Sequence, residues 1–207
     1  MALQDTAFLW ESFLHHLEFL KEKKYVSPDD TLTEDGAWAS QLRIDHPLVV
    51  AEGFRSDLFP KTNPALLASL MASLVNERET DDASIPPRDI PEDLAEAFLK
   101  VDEGLFPFAE ELTESGFEAP ILYLRPALTI YKWARGEAWE DVLTFWDSAE
   151  GDLAMLVMRT ADNLRHIGNL GAVFPDAAGS ARAAIDLILK DPVVSTIEPD
   201  ENVHEKL

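Results

Sequence analysis

The chain has 207 residues, 46% of them hydrophobic, and its 17 basic and 39 acidic side chains leave a formal charge of −22. That length and apolar share suffice for one good-sized core, hence one domain, and a charge this negative excludes polyanion binding through a broad basic surface. Cysteine is absent, which removes disulfides, thiolate nucleophiles and sulfur-ligated zinc. No apolar run is long enough to span a bilayer, and the first residues lack the basic start and cleavage site of a secretory signal, so a cytoplasmic setting is expected.

Taken in chain order, Phe8, Leu9, Phe13, Leu17 and Leu20 predict a helix from about Asp5 to Lys24 that buries this stripe. Lys21 to Lys24 suit its C-terminus. After the turn Ser27-Pro28-Asp29-Asp30, the segment Thr33-Glu34-Asp35-Gly36 begins a second helix that carries Trp38, Leu42 and Ile44 inward. A third starts near His46-Pro47 and runs through Val49, Val50, Phe54 and Leu58. Asn63-Pro64 opens a fourth, whose Leu66, Leu67, Leu70, Met71, Leu74 and Val75 form a wide apolar face that predicts deep burial.

The polar stretch from Glu77 to Pro91, with its Pro86-Pro87 pair, reads as a loop and as the best candidate for a mobile or disordered segment. From Glu92 a long helix passes Leu94, Phe98, Val101, Leu105 and Phe108 towards Ser115-Gly116, with Pro107 expected to kink or divide it. Arg125-Pro126 starts a helix that Gly136 ends, and Trp139 to Trp146 make a short aromatic one. Two more run from about Glu150 to Leu170 and from Asp176 to Lys190. The expected fold is all-α, a single bundle of roughly eight to ten helices. Residues 1–197 form one domain, and 198–207 form an acidic tail expected to be disordered.

Several short blocks, in order, resemble a known module. They are Leu32-Thr33-Glu34-Asp35-Gly36, then Asp45-His46-Pro47-Leu48 and Ala51-Glu52-Gly53, then Pro64-Ala65-Leu66-Leu67-Ala68 through Leu74-Val75-Asn76-Glu77. Later come Trp133-Ala134-Arg135-Gly136, then Glu150-Gly151-Asp152-Leu153 with Arg159, Asp162, Leu164, Arg165 and Ile167. From about Leu20 to Val193 the chain resembles the DSHCT domain, the helical C-terminal module of DExH-box RNA helicases of the superkiller and exosome-assisting kind.

Placed on a helix at about 100° per residue, Glu150 to Leu170 sort Leu153, Leu156, Val157, Leu164 and Ile167 to one face and Met155, Arg159, Asp162 and His166 to the other. In the resembled family the corresponding helix lies under the translocating strand, which implies nucleic-acid contacts for Arg159 and Asp162 and, beside them, for Met155 and His166. An arginine offers a fork for a phosphate and a flat face for a base, and methionine or histidine adds a stacking surface. Met155 stands where the family usually has a basic residue, and His166 where glutamine is common. The bland alternative is a solvated stripe on which Arg159 pairs with Asp162 three residues on.

His15-His16 lie on different sides of one helix, which is poor metal geometry, and acid pairs such as Glu110-Glu111 and Asp81-Asp82 arise by chance in so acidic a chain. The aromatics from Tyr131 to Trp146 read as core more readily than as a stacking platform. No phosphate loop and no Asp-Glu-x-His or Asp-Glu-x-Asp box occurs, nor a Gly-x-Ser-x-Gly elbow or His-Glu-x-x-His pair. No catalysis, cofactor or metal is therefore expected of the chain.

The resemblance implies that the partners are helicase motor domains, in cis or in trans, and single-stranded RNA or DNA held weakly by the module alone. An acidic adaptor that docks a basic protein and never touches nucleic acid is the alternative. A metal-dependent hydrolase using helical carboxylates with His46 or His166 is a third.

Overall fold

The computed structural model describes residues 2–195, with residues 2–8 described as backbone alone. Among the described residues there are nine α-helices and no strand. They are α1 (Ala2–Glu22), α2 (Glu34–Ala39), α3 (Pro47–Arg55), α4 (Pro64–Val75), α5 (Glu92–Glu114), α6 (Leu124–Ala134), α7 (Trp139–Trp146), α8 (Glu150–Gly168) and α9 (Pro175–Ile188). The all-α bundle is as the periodicity predicts. The acidic tail 198–207 lies outside the described residues.

Helix α4 is the axis of the bundle. The Asn63 side chain accepts from the Leu66 N–H at 3.2 Å and Pro64 occupies the first turn, so two local signals start the helix at this point. Every residue from Ala65 to Val75 is buried, because α6, α8, α9 and α5 surround the helix. Its two serines keep this environment tolerable by bonding backbone: Ser69 Oγ donates to Ala65 O at 2.6 Å, and Ser73 Oγ to Tyr123 O at 2.5 Å. Helix α3 packs on α5, and α2 on α3. A smaller apolar cluster of Leu66, Ile85, Leu94, Leu128 and Tyr131 sits under the loop between α4 and α5.

Helix α1 departs from expectation. Leu9 and Phe13, assigned to a buried stripe, are 67% and 53% exposed, with Trp10 and Leu14 beside them, while Phe19 takes the buried place. The C-terminal half of α1 rests on the body, and Phe8 lies outside the residues whose side chains are described. Phe19 meets Phe117 and Phe108 at ring separations of 5.0 and 6.2 Å, and Lys23 pairs with Glu111 at 2.9 Å. A stripe is buried only along the part of its helix that has something to lie against, and sequence period does not supply that.

The Glu77 to Pro91 stretch is tied down rather than loose. Asp82 accepts through Oδ2 from the Leu124 N–H at 2.6 Å and through Oδ1 from the Arg125 N–H at 3.0 Å, so a loop carboxylate satisfies two free donors at the start of α6. Ile85 is buried in the smaller cluster. Asp82→Ala is accordingly expected to lower stability by about 1–2 kcal/mol. The check is urea unfolding, in which the midpoint should fall with the slope unchanged; an unmoved midpoint would deny the anchor. Pro107, expected to kink or divide the long helix, leaves α5 a single element of 23 residues.

Candidate nucleic-acid interface

Helix α8 carries the predicted site. Leu153, Leu156, Val157, Leu164 and Ile167 are buried against α4 and α9, as their spacing predicts. On the opposite stripe Met155 is 52% exposed, Asp162 is exposed, and Arg159 and His166 are half-buried. Glu150 and Asp152 in the first turn and Arg165 and His166 in the last complement the helix dipole. The structure thus brings all four predicted site residues onto one face of one helix.

Their pairings differ from the bland expectation. Arg159 does not pair with Asp162, which is bonded to Arg165. Instead Arg159 Nη2 donates to Asp45 at 3.0 Å and to Glu77 at 2.8 Å. Asn163 Nδ2 completes the knot by donating to the other Asp45 oxygen at 2.9 Å and to Arg159 O at 3.0 Å. An exposed pair three residues apart is worth only a few tenths of a kcal/mol, whereas Asp45 is half-buried and better shielded from solvent screening.

Burial works against ionisation of Asp45, yet the hydrogen bonds from Asn163 and Arg159 and the arginine charge outweigh it and hold its carboxyl below the usual value. Burial likewise opposes the Arg159 charge, and the bonds to Glu77 and Asp45 overcome it and raise its pKa. A depressed carboxylate contributes its stability above its unfolded pKa and loses it as pH falls through the folded one, so the knot is whole at neutral pH.

Sequence reasoning missed Asp45, Glu77 and Asn163 as partners. It also missed Arg78, which crosses from the start of the loop to pair with Asp152 on α8. The available signal was that Asp45 and Glu77 fall inside blocks that carry the resemblance. His15 and His16 are each partnered, by Ser115 O at 2.6 Å and Ser12 O at 2.7 Å. Trp133, Trp139 and Trp146 are buried, so the aromatic run is core. Among the described residues no group of three or more His, Asp or Glu is placed to hold a metal ion.

The sequence matches the DSHCT (NUC185) domain family over residues 29–196, most of the chain. The chain belongs to the DSHCT domain family. It is also 25% identical over 201 residues to a chloroplastic DExH-box ATP-dependent RNA helicase of Arabidopsis thaliana, an alignment that covers 89% of this chain and 16% of that helicase. The DSHCT domain described here therefore spans about a sixth of the curated relative's length. Within it, three of the blocks that carry the resemblance converge on one guanidinium: Asp45 before α3, Glu77 after α4 and Arg159 on α8.

Proposed function

We propose that this DSHCT domain serves as the helical accessory module of a DExH-type helicase, packing on the motor domains and lending its α8 stripe to a single strand of nucleic acid, without catalysis of its own. Family membership carries this proposal. The Arabidopsis relative is an RNA helicase by name, which favours RNA over DNA as the strand, and a cysteine-free chain suits a cytoplasmic, reducing setting. On the stripe, Met155 is the exposed stacking surface and Arg159 the donor. Asp162 and His166 border them on the same face.

The expected result is weak, salt-sensitive binding of a single-stranded oligonucleotide that falls about tenfold on Arg159→Ala, the scale of one lost stacking or phosphate contact. Because Arg159 also ties three segments together, Met155→Ala is the cleaner variant. It should weaken binding severalfold with no change in thermal melting, since its side chain is exposed. Binding untouched by both variants would remove α8 as the interface.

The net charge of −22 favours a second function, an adaptor whose acidic surface docks a basic protein. Recovery of a basic protein from lysate after nuclease treatment, with no affinity for oligonucleotides, would support the adaptor over the strand contact.

A further inference from the structure

Beside Met155 lies a cleft of about 130 Å³ lined by Asn76, Glu77, Arg78, Trp146, Asp152 and Arg159. Its rim alternates in charge. Glu77 and Arg78 are consecutive in the chain and reach α8 at two places, Glu77 meeting Arg159 at 2.8 Å and Arg78 meeting Asp152. Asp152 and Arg159 are two helical turns apart, roughly 10 Å along the axis, and Met155 lies between them on the same face. Ser148 Oγ steadies the Asp152 carboxylate at 3.0 Å and accepts from Arg78 at 3.3 Å. Trp146, only 5% exposed, lines the cleft as well, with its indole Nε1–H closed to solvent.

From this ring of donors and acceptors we infer that the cleft is a subsite for one unstacked pyrimidine that bears an amino group, cytosine rather than uracil. The inference rests on the proposed strand contact and adds a base preference to it. The two arginines and two carboxylates cancel, so a phosphate would have to displace a carboxylate from its guanidinium, whereas an uncharged base need not. The volume is close to that of an engineered protein cavity of about 150 Å³ that takes benzene, so a six-membered ring suits it.

The exposed Met155 thioether offers the ring a soft apolar face. Glu77 and Asp152 supply acceptors for an exocyclic amino group, the pairing by which carboxylates read cytosine. Arg78 supplies donors for the ring nitrogen and the carbonyl oxygen. Uracil presents a carbonyl where cytosine has the amino group, and that oxygen would face a carboxylate.

The test uses the full chain with fluorescein-labelled decamers of cytidylate and uridylate, titrated by anisotropy at fixed salt. The cytidylate decamer is expected to bind about tenfold more tightly, the scale of one good base-edge contact. Arg78→Ala removes these donors and one partly exposed ion pair. It should cut the preference severalfold with little change in thermal melting, since such a pair is worth little. Asp152→Ala should bring the preference close to one.

Equal affinity for the two decamers in the parent protein, with binding still dependent on Met155 and Arg159, overturns the cytosine subsite and leaves the strand contact standing. A preference undiminished in both variants overturns the assignment to this cleft. Failure of both decamers to bind overturns the proposed function and the subsite together.

Discussion

Leu70→Ala is expected to lower stability by about 2–5 kcal/mol, the range for removing a large aliphatic side chain from a close-packed interior. Leu70 is fully buried in α4, the helix that α6, α8 and α9 all pack against, so no single neighbour can move in to fill the space. For a chain of this size the melting temperature should fall by on the order of 10 °C. Leu70→Met keeps the volume and should cost less than about 1.5 kcal/mol. The effect reaches the site as well, because α8 is seated on α4 and a slackened seat loosens the register of Arg159 against Glu77. Melting curves of the two variants decide the matter; an alanine variant as stable as the methionine one would mean α4 is not the axis of the core.

Gly36→Ala is expected to be comparably damaging, although it adds a single methyl group. A Cβ at this position would lie 1.9 Å from Tyr25 O and 2.9 Å from Tyr25 C, both backbone atoms. Tyr25 O cannot retreat easily, because it accepts from the Thr33 N–H and the Thr33 hydroxyl, each at 3.1 Å, and the Tyr25 N–H is itself bonded to Leu20 O at 2.9 Å. Thr33 also caps α2 by accepting from the Gly36 N–H at 3.1 Å, so relief of the clash unmakes the cap.

A loss of about 2–3 kcal/mol is the scale of such overpacking. Gly179→Ala is the control. Apart from its chain neighbours and its own helix backbone, no atom of the described residues lies within 4 Å of the added Cβ, and Gly179 is inside α9, where alanine is the better helix former and should raise stability by about 0.5–1 kcal/mol. If both variants melt alike, the close approach of α2 to Tyr25 is wrong.

The DSHCT match spans the blocks that the bare sequence offered, but those blocks are legible for different reasons. Thr33-Glu34-Asp35-Gly36 reads as a helix start because a capping threonine and two acids act within one turn, and the glycine is required by Tyr25, eleven residues away. Asn63-Pro64 is legible for the same kind of reason. Asp82 was not, since its carboxylate serves the first turn of a helix more than forty residues further on. The face of α8 was legible as a stripe, and its four predicted residues do share one side. The cleft beside them was not legible, because Trp146 and Arg78 reach it from other elements.

The sequence by itself determined which segments are helical and which side chains share a face, because capping, propensity and the 3.6-residue period act over a few neighbouring residues. It determined the family for the same reason, through blocks that are each local in the chain. Tertiary structure alone decided what lies against each face. Arg159 bonds Asp45 across 114 residues and Glu77 across 82, in preference to Asp162 three residues away. Leu9 and Phe13 of the α1 stripe stay exposed. Period fixes direction around a helix axis, and only packing in three dimensions supplies the partner in that direction.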